Sequence, residues 1–278
     1  MNKTTFSETE IEQLRQACDL LENPGLAARI SHLVGTPIER GFELLPERWG
    51  EVVNAAARKS IESTLDIAIG TMDGGHRGTP SNWWHKAAAT ATGATGGAFG
   101  LAALAVELPI STAIMLRSIA DIARSEGEDL AQAEVRVQCL QVLALGGPSR
   151  DDDAAEFGYF AARAAMSRAV SEAASHVARK GLAEKSAPAI VRLVSQVASR
   201  FSLVVSEKAA AQAVPVVGAF GGAAINAVFI DHFQDMARGH FIVRRLERSH
   251  GTETVRRMYA DIAGGESRPK RLSQDPTE

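Results

Sequence analysis

The chain has 278 residues, with 30 Lys and Arg against 33 Asp and Glu, so it has room for one large or two small domains and sits near charge balance. That balance excludes the net basic field normally shown by a nucleic-acid binder. Two cysteines, Cys18 and Cys139, both fall inside helical patterns and read as buried apolar groups of a reducing compartment, which excludes a disulfide framework.

The first residues, MNKTTFSETEIEQL, carry no apolar stretch of a secretory signal, so the expectation is a cytoplasmic protein. Ser7-Glu8-Thr9-Glu10 is a capping box that opens a helix ending near Asn23-Pro24. Thr36-Pro37-Ile38-Glu39 is a second box, with proline at the first helical position. Pro46 opens a longer helix through Ile69, with Val52, Val53, Ala56, Ile61, Leu65 and Ile69 at near-helical spacing. Asp73 to Gly78 form a loop, and Thr79-Pro80 restart a helix. Glu128-Asp129 start another, which stops at Gly146-Gly147-Pro148. Ser149 caps the next, with Asp151, Asp152 and Asp153 in its first turn, where the helix dipole favours negative charge. It runs to Lys180-Gly181, and Ser186-Ala187-Pro188 start one more. Leu203-Val204-Val205 is too short to count as a strand against its surroundings. The polar residues 264–278 read as a disordered tail.

Two long uncharged runs stand out. Residues 87–106 read AAATATGATGGAFGLAALAV and residues 209–230 read AAAQAVPVVGAFGGAAINAVFI. Each follows a lysine, Lys86 or Lys208, and begins with three alanines; each ends at an acid, Glu107 or Asp231. Each contains small-xxx-small spacing: Gly93/Gly97 and Gly96/Gly100 in the first, Gly218/Gly222 in the second. Each is followed by an amphipathic helix closing on one signature, Arg124-Ser125-Glu126-Gly127 and Arg248-Ser249-His250-Gly251. The pattern predicts an internal duplication. Glycine every fourth residue gives a flat helix face on which another backbone packs closely, either as a core pair or as a membrane-inserted hairpin.

Energetics count against ordinary membrane spanning. Phe99, Leu101, Leu104 and Val106 are the strongly apolar residues of the first run, and together they contribute about −2 kcal/mol of insertion energy. Its glycines and threonines largely cancel that. The second run is interrupted by Gln212, Pro215 and Asn226, and segment 110–207 is too charged to cross between two like-oriented copies. Lys and Arg show no positive-inside bias, with nine before residue 87, eleven in 110–207 and nine after residue 230. Interfacial or re-entrant association remains open. Trp83-Trp84-His85-Lys86, directly before the first run, suit a bilayer interface, although tryptophans capping a core helix are the commoner case. Arg244 and Arg245 give a later amphipathic helix a basic face that could meet anionic headgroups.

No HExxH, CxxC, Walker A or GxSxG spacing is present, and GATGGAFG does not follow a strand, so no cofactor and no bound metal is expected. One polar cluster is a candidate for chemistry: Asp231, His232, Asp235 and His240, joined by Glu107 at the equivalent end of the first run. If the two copies pack symmetrically, Glu107 and Asp231 converge. Carboxylates with histidines suit a divalent cation. Arg117 or Arg238 would satisfy the same acids without a metal, and that solution is the favoured one.

Glu107-Leu108-Pro109 followed by LRSIADIARSEGED, then PVVGAFGGAAIN, DHFQDMARGHF and VRRLERSHG, resemble the EcsC protein family over residues 25–262. The resemblance implies a weak association with transport and brings no catalytic residues. The expected fold is all-α, a compact multi-helix domain of about ten helices with the duplicated glycine-rich unit at its centre. Its expected divisions are an N-terminal helix at 1–24, a single helical domain at 25–263 and the tail at 264–278. The leading functional expectation is a non-enzymatic protein, peripheral on the inner face of the membrane or bound to a membrane-protein partner. A metal-dependent hydrolase and a helical carrier of an apolar ligand are the alternatives.

Overall fold

The computed structural model describes residues 6–22, 26–35, 37–70, 101–146, 158–181, 186–214 and 218–266. Among them the chain is helical throughout, with no strand. The helices are α1 (Glu8–Glu22), α2 (Leu26–Val34), α3 (Ile38–Glu43), α4 (Trp49–Gly70), α5 (Leu101–Ser125), α6 (Ala133–Leu145), α7 (Gly158–Lys180), α8 (Pro188–Ala213), α9 (Gly218–His250) and α10 (Thr252–Glu266). The all-α class expected from the sequence is the one observed.

Several boundaries follow from the local chemistry already noted. At the start of α1, the Ser7 N–H donates to Glu10 Oε2 at 2.8 Å and the Glu10 N–H to Ser7 Oγ at 3.2 Å, which closes the capping box in both directions. Pro188 begins α8, where its missing N–H has no intrahelical role. The two signatures end α5 and α9 in the same way, with Gly127 at φ 79° and Gly251 at φ 82°, a left-handed conformation that glycine adopts without steric cost.

Three starts differ from expectation. Pro37 is the N-cap of α3 instead of its first residue. Pro46 sits in a turn whose carbonyl receives the Trp49 N–H at 2.9 Å, so α4 begins three residues later than predicted. Glu128-Asp129 do not start α6, which begins at Ala133, because Glu128 is buried in an ion pair. The helix predicted from Thr79-Pro80, the Ser149 cap and its aspartates lie outside the described residues, as does the tail beyond Glu266.

Helix α6 is the centre of the bundle. Every residue from Val137 to Leu145 is buried, so the helix is apolar nearly all round, as a fully enclosed helix must be. It touches α4, α5, α7, α8 and α9. One core cluster joins these helices with α2 and α3, and in it Phe201, Phe229 and Phe233 pack with ring centroids 5.2–6.2 Å apart. A second cluster lies under α1, where Leu14, Ala17 and Cys18 meet Tyr159, Phe160, Ile242, Val243, Leu246, Val255 and Tyr259. The N-terminal helix is therefore packed into the fold along α9.

Helices α5 and α9 run parallel: Ser118 meets Gln234, and beyond the end of α5 Glu128 meets Arg244. The second uncharged run is not one helix. It occupies the last turn of α8 and the first turns of α9, divided at Val214, whose extended backbone precedes Pro215.

Candidate functional site

Lys208 comes from α8, three residues before the Ala211 carbonyl that closes that helix end. Its side chain has no exposure to solvent. Nζ donates to Glu107 Oε1 of α5 at 2.6 Å and to Asn226 Oδ1 of α9 at 2.8 Å, and lies 4.8 Å from the centroid of the Phe229 ring. Three N–H donors thus face a carboxylate, an amide oxygen and an aromatic face. Burial pulls Lys208 below the ordinary lysine range, while the Glu107 carboxylate opposes that pull. Glu107 is itself buried, and its second oxygen, Oε2, has no hydrogen-bond partner. The result is a charged, incompletely satisfied node at the point where the first uncharged run ends and the second begins.

A second buried polar network lies between α6, α7 and α9. The acceptor Gln138 Oε1, 3.1 Å from His240 Nε2, assigns the imidazole proton to Nε2. His240 Nδ1 then accepts the Tyr159 hydroxyl proton at 2.9 Å. Arg163 reaches the same hydroxyl at 3.4 Å and clamps Glu247 with two bonds of 2.9 and 2.7 Å, which brings the network to the surface. Burial drives His240 well below the usual histidine range, so it is neutral, and pushes Tyr159 up to about 12. Tyr259 donates to Glu22 of α1 at 2.8 Å beside this network.

The residues expected to form one polar cluster occupy separate places. Glu107 meets Lys208, a lysine where the sequence pointed to an arginine. His232 Nε2 donates to the Gly146 carbonyl at 2.7 Å, and burial lowers it from the ordinary histidine value. Asp235 pairs with Arg29 and Arg238, each at 3.0 Å, so Arg238 does serve an acid of this segment. His240 belongs to the Tyr159 network, and Asp231 is half-buried on α9. Among the described residues no group of three or more His, Cys, Asp or Glu side chains is arranged to hold a metal ion.

The basic face of α9 turns towards the end of α5. Arg244 has a side chain only 13% exposed and reaches Glu128 at 2.8 Å and Glu134 at 3.3 Å; Arg248 also engages Glu128. Arg245 pairs with Glu126 at 3.2 Å and donates to Gln13 at 3.0 Å. The Arg248 guanidinium donates to the Glu126 carbonyl at 2.8 Å, so the segments Arg124–Gly127 and Arg248–Gly251 lie side by side. Trp83, Trp84 and Lys86 lie outside the described residues, as do Gly93, Gly96, Gly97 and Gly100.

Close helix approach occurs at other glycines. A methyl group at Gly41 would overlap the Ala210 carbonyl where α3 crosses α8, and one at Gly239 would meet Leu21 and the Ala17 carbonyl where α1 crosses α9. An open groove of about 620 Å³ between α7 and α8 is lined by Glu172, His176, Arg179 and Arg192, with Arg192 engaged by Glu172.

Sequence reasoning took Lys208 and Asn226 only as features of the second run and missed Tyr159 and Gln138. The available signal was Lys208 at the edge of a long uncharged run, where a charge needs a partner if it is buried.

These features define an all-helical bundle whose interior polar groups tie helices together. The chain belongs to the EcsC protein family, whose family model matches residues 8–246. That match includes α1 and stops before α10. No curated protein and no solved structure matches the chain.

Proposed function

We propose that this EcsC-family chain is a non-enzymatic protein that docks on the surface of a lipid bilayer, as an accessory to transport. The observation that carries this reading is the exposure of Val106 and Ile110, 68% and 46%, one turn apart on α5. They continue the uncharged run 87–106 onto the described surface, and two bulky aliphatic side chains left in water beside such a run favour an apolar contact. One described helix, α8, is long and apolar enough to cross a membrane, but half of its most apolar window is buried in the bundle, which supports surface docking over crossing. With Arg244 and Arg245 engaged by Glu126, Glu128 and Glu134, the contact is apolar more than electrostatic. An internal duplication fits the same picture: the parallel course of α5 and α9, their matching glycine ends and the adjacent signatures support it.

Flotation of the full chain with neutral phosphatidylcholine vesicles tests this. The expected result is vesicle association insensitive to salt and reduced at least about fivefold by Val106→Asp with Ile110→Asp, since two acids at an apolar contact are costly to bury. No flotation, or flotation untouched by these substitutions, overturns the reading.

A further inference from the structure

Three helix segments meet at Lys208, and those of α5 and α9 carry residues that weaken a helix. In α5, Pro109 stands two residues after Glu107 and has no N–H to give the Ala105 carbonyl, so the segment Leu101–Leu108 is joined to the rest of its helix by one bond fewer. Helix α8 stops at Ala213, directly after the turn that carries Lys208. Helix α9 opens with Gly218, Gly221 and Gly222, the poorest helix formers after proline. The α5 segment therefore lacks one backbone bond to the rest of its helix, and the α9 segment has weak helix propensity.

What joins them is a buried ion pair, a contact that tends not to stabilise a fold more than an apolar pair of the same size. Here it is less satisfied than it could be, because Glu107 Oε2 has no partner. Opening the node would return both charges to water, which offsets part of the packing lost. An apolar pair in the same place would have no such compensation.

We infer that the Lys208–Glu107–Asn226 node is a latch that holds Leu101–Leu108 and Gly218–Asn226 against the core and lets them open together as a local unit, carrying the uncharged faces on which bilayer docking depends. The use of the opening rests on the docking reading; the opening itself does not.

Hydrogen exchange on the full chain without vesicles separates the two. Amides of Leu101–Leu108 and Gly218–Asn226 exchange at least about 100-fold faster than those of α6, the fully enclosed helix, because sub-global opening precedes global unfolding. The double substitution Glu107→Leu with Lys208→Met slows exchange in both segments by about tenfold or more relative to α6 and weakens vesicle flotation. Pro109→Ala, which restores the missing N–H and needs no change at the node, slows both segments, because they open together. Exchange of both segments at the α6 rate in the wild type overturns the latch, as does a double variant whose ratio to α6 is unchanged. Where the double variant fails to fold, the wild-type ratio and Pro109→Ala decide. Fast local exchange in a chain that ignores vesicles keeps the latch and removes the docking reading.

Discussion

The two buried polar networks of this bundle solve the same problem in opposite ways. Around His240 the groups are neutral and every contact has a donor and an acceptor, with the charge placed at the rim in the Arg163–Glu247 clamp. Around Lys208 the charge itself is buried and one carboxylate oxygen is left over. The first arrangement fixes α6, α7 and α9 in one register. The second ties the last turns of α8 to a segment of α5 interrupted by Pro109 and to the glycine-rich first turns of α9. A neutral, satisfied network resists opening at every bond, whereas a buried pair of charges gains hydration when it opens.

The largest expected effect separates the pair from its parts. Lys208→Met leaves Glu107 charged and alone at 4% exposure, and should cost about 3–5 kcal/mol in urea unfolding followed by circular dichroism. Adding Glu107→Leu should return stability to within about 1 kcal/mol of the wild type, since two apolar side chains of similar volume replace both charges. A single variant costing under about 1 kcal/mol would show that the node is not a buried ion pair, and the contrast would fail.

His240 gives the smaller counterpart. His240→Phe keeps a ring of similar size but leaves the Tyr159 hydroxyl and Gln138 without their partner, at a cost of about 2–4 kcal/mol for two buried polar groups. No second substitution at one site restores it, because three helices contribute. Recovery by a single added substitution such as Gln138→Leu would place this network in the same class as the Lys208 node.

How much of this was legible depended on how local the cause was. The capping box at Ser7, the glycine ends at Gly127 and Gly251 and the proline start of α8 are set by neighbours three or four residues away, and all can be read from the chain. Glu128 could not be read, because its value as an N-terminal acid was overridden by Arg244 and Arg248, more than a hundred residues distant. The polar cluster failed for the same reason. Spacing placed Asp231, His232 and Asp235 on neighbouring turns, but their partners, Gly146 and Arg29 among them, come from other helices. Glycine spacing gave no sign of isolated Gly41, where α3 meets the α8 backbone, and Gly97 lies outside the described residues.

Gly41 sharpens that last point. Gly41→Ala should destabilise by about 1–3 kcal/mol, because the new methyl group meets the Ala210 backbone and cannot be relieved by a side-chain rotation. Thermal unfolding measures it. The same substitution at Gly264, where a methyl group meets nothing within 4 Å, should be neutral or slightly stabilising through helix propensity. Equal effects at both would mean that α3 and α8 do not approach as closely as described.

The smallest effect concerns Glu207, the neighbour of Lys208 that faces the other way. It accepts a hydrogen bond from the Ala27 N–H in the first turn of α2, yet burial pushes its carboxyl up from 4.5 to about 7. An acid raised in the folded state is equally protonated in both states below pH 4.5, so it has no effect there. Between 4.5 and 7 the folded chain holds the extra proton, and stability falls as pH rises; above 7 the full penalty is present. A shift of this size corresponds to a ceiling of about 3 kcal/mol, reduced by the partial access of water. His232 and His240, both lowered by burial, act in the opposite sense, since their contribution is present above 6.5 and lost as pH falls. The two slopes oppose each other in the wild type. Glu207→Gln keeps an oxygen for Ala27 and removes the ionisation, so it should stabilise by about 1–2 kcal/mol at pH 8 and by nothing measurable at pH 4. Stability should then rise more steeply between pH 5 and 7 than in the wild type, because the histidines act unopposed. An equal gain at both pH values would assign the effect to packing, and no gain at pH 8 would mean that the α2 N-terminus already accommodates the charge.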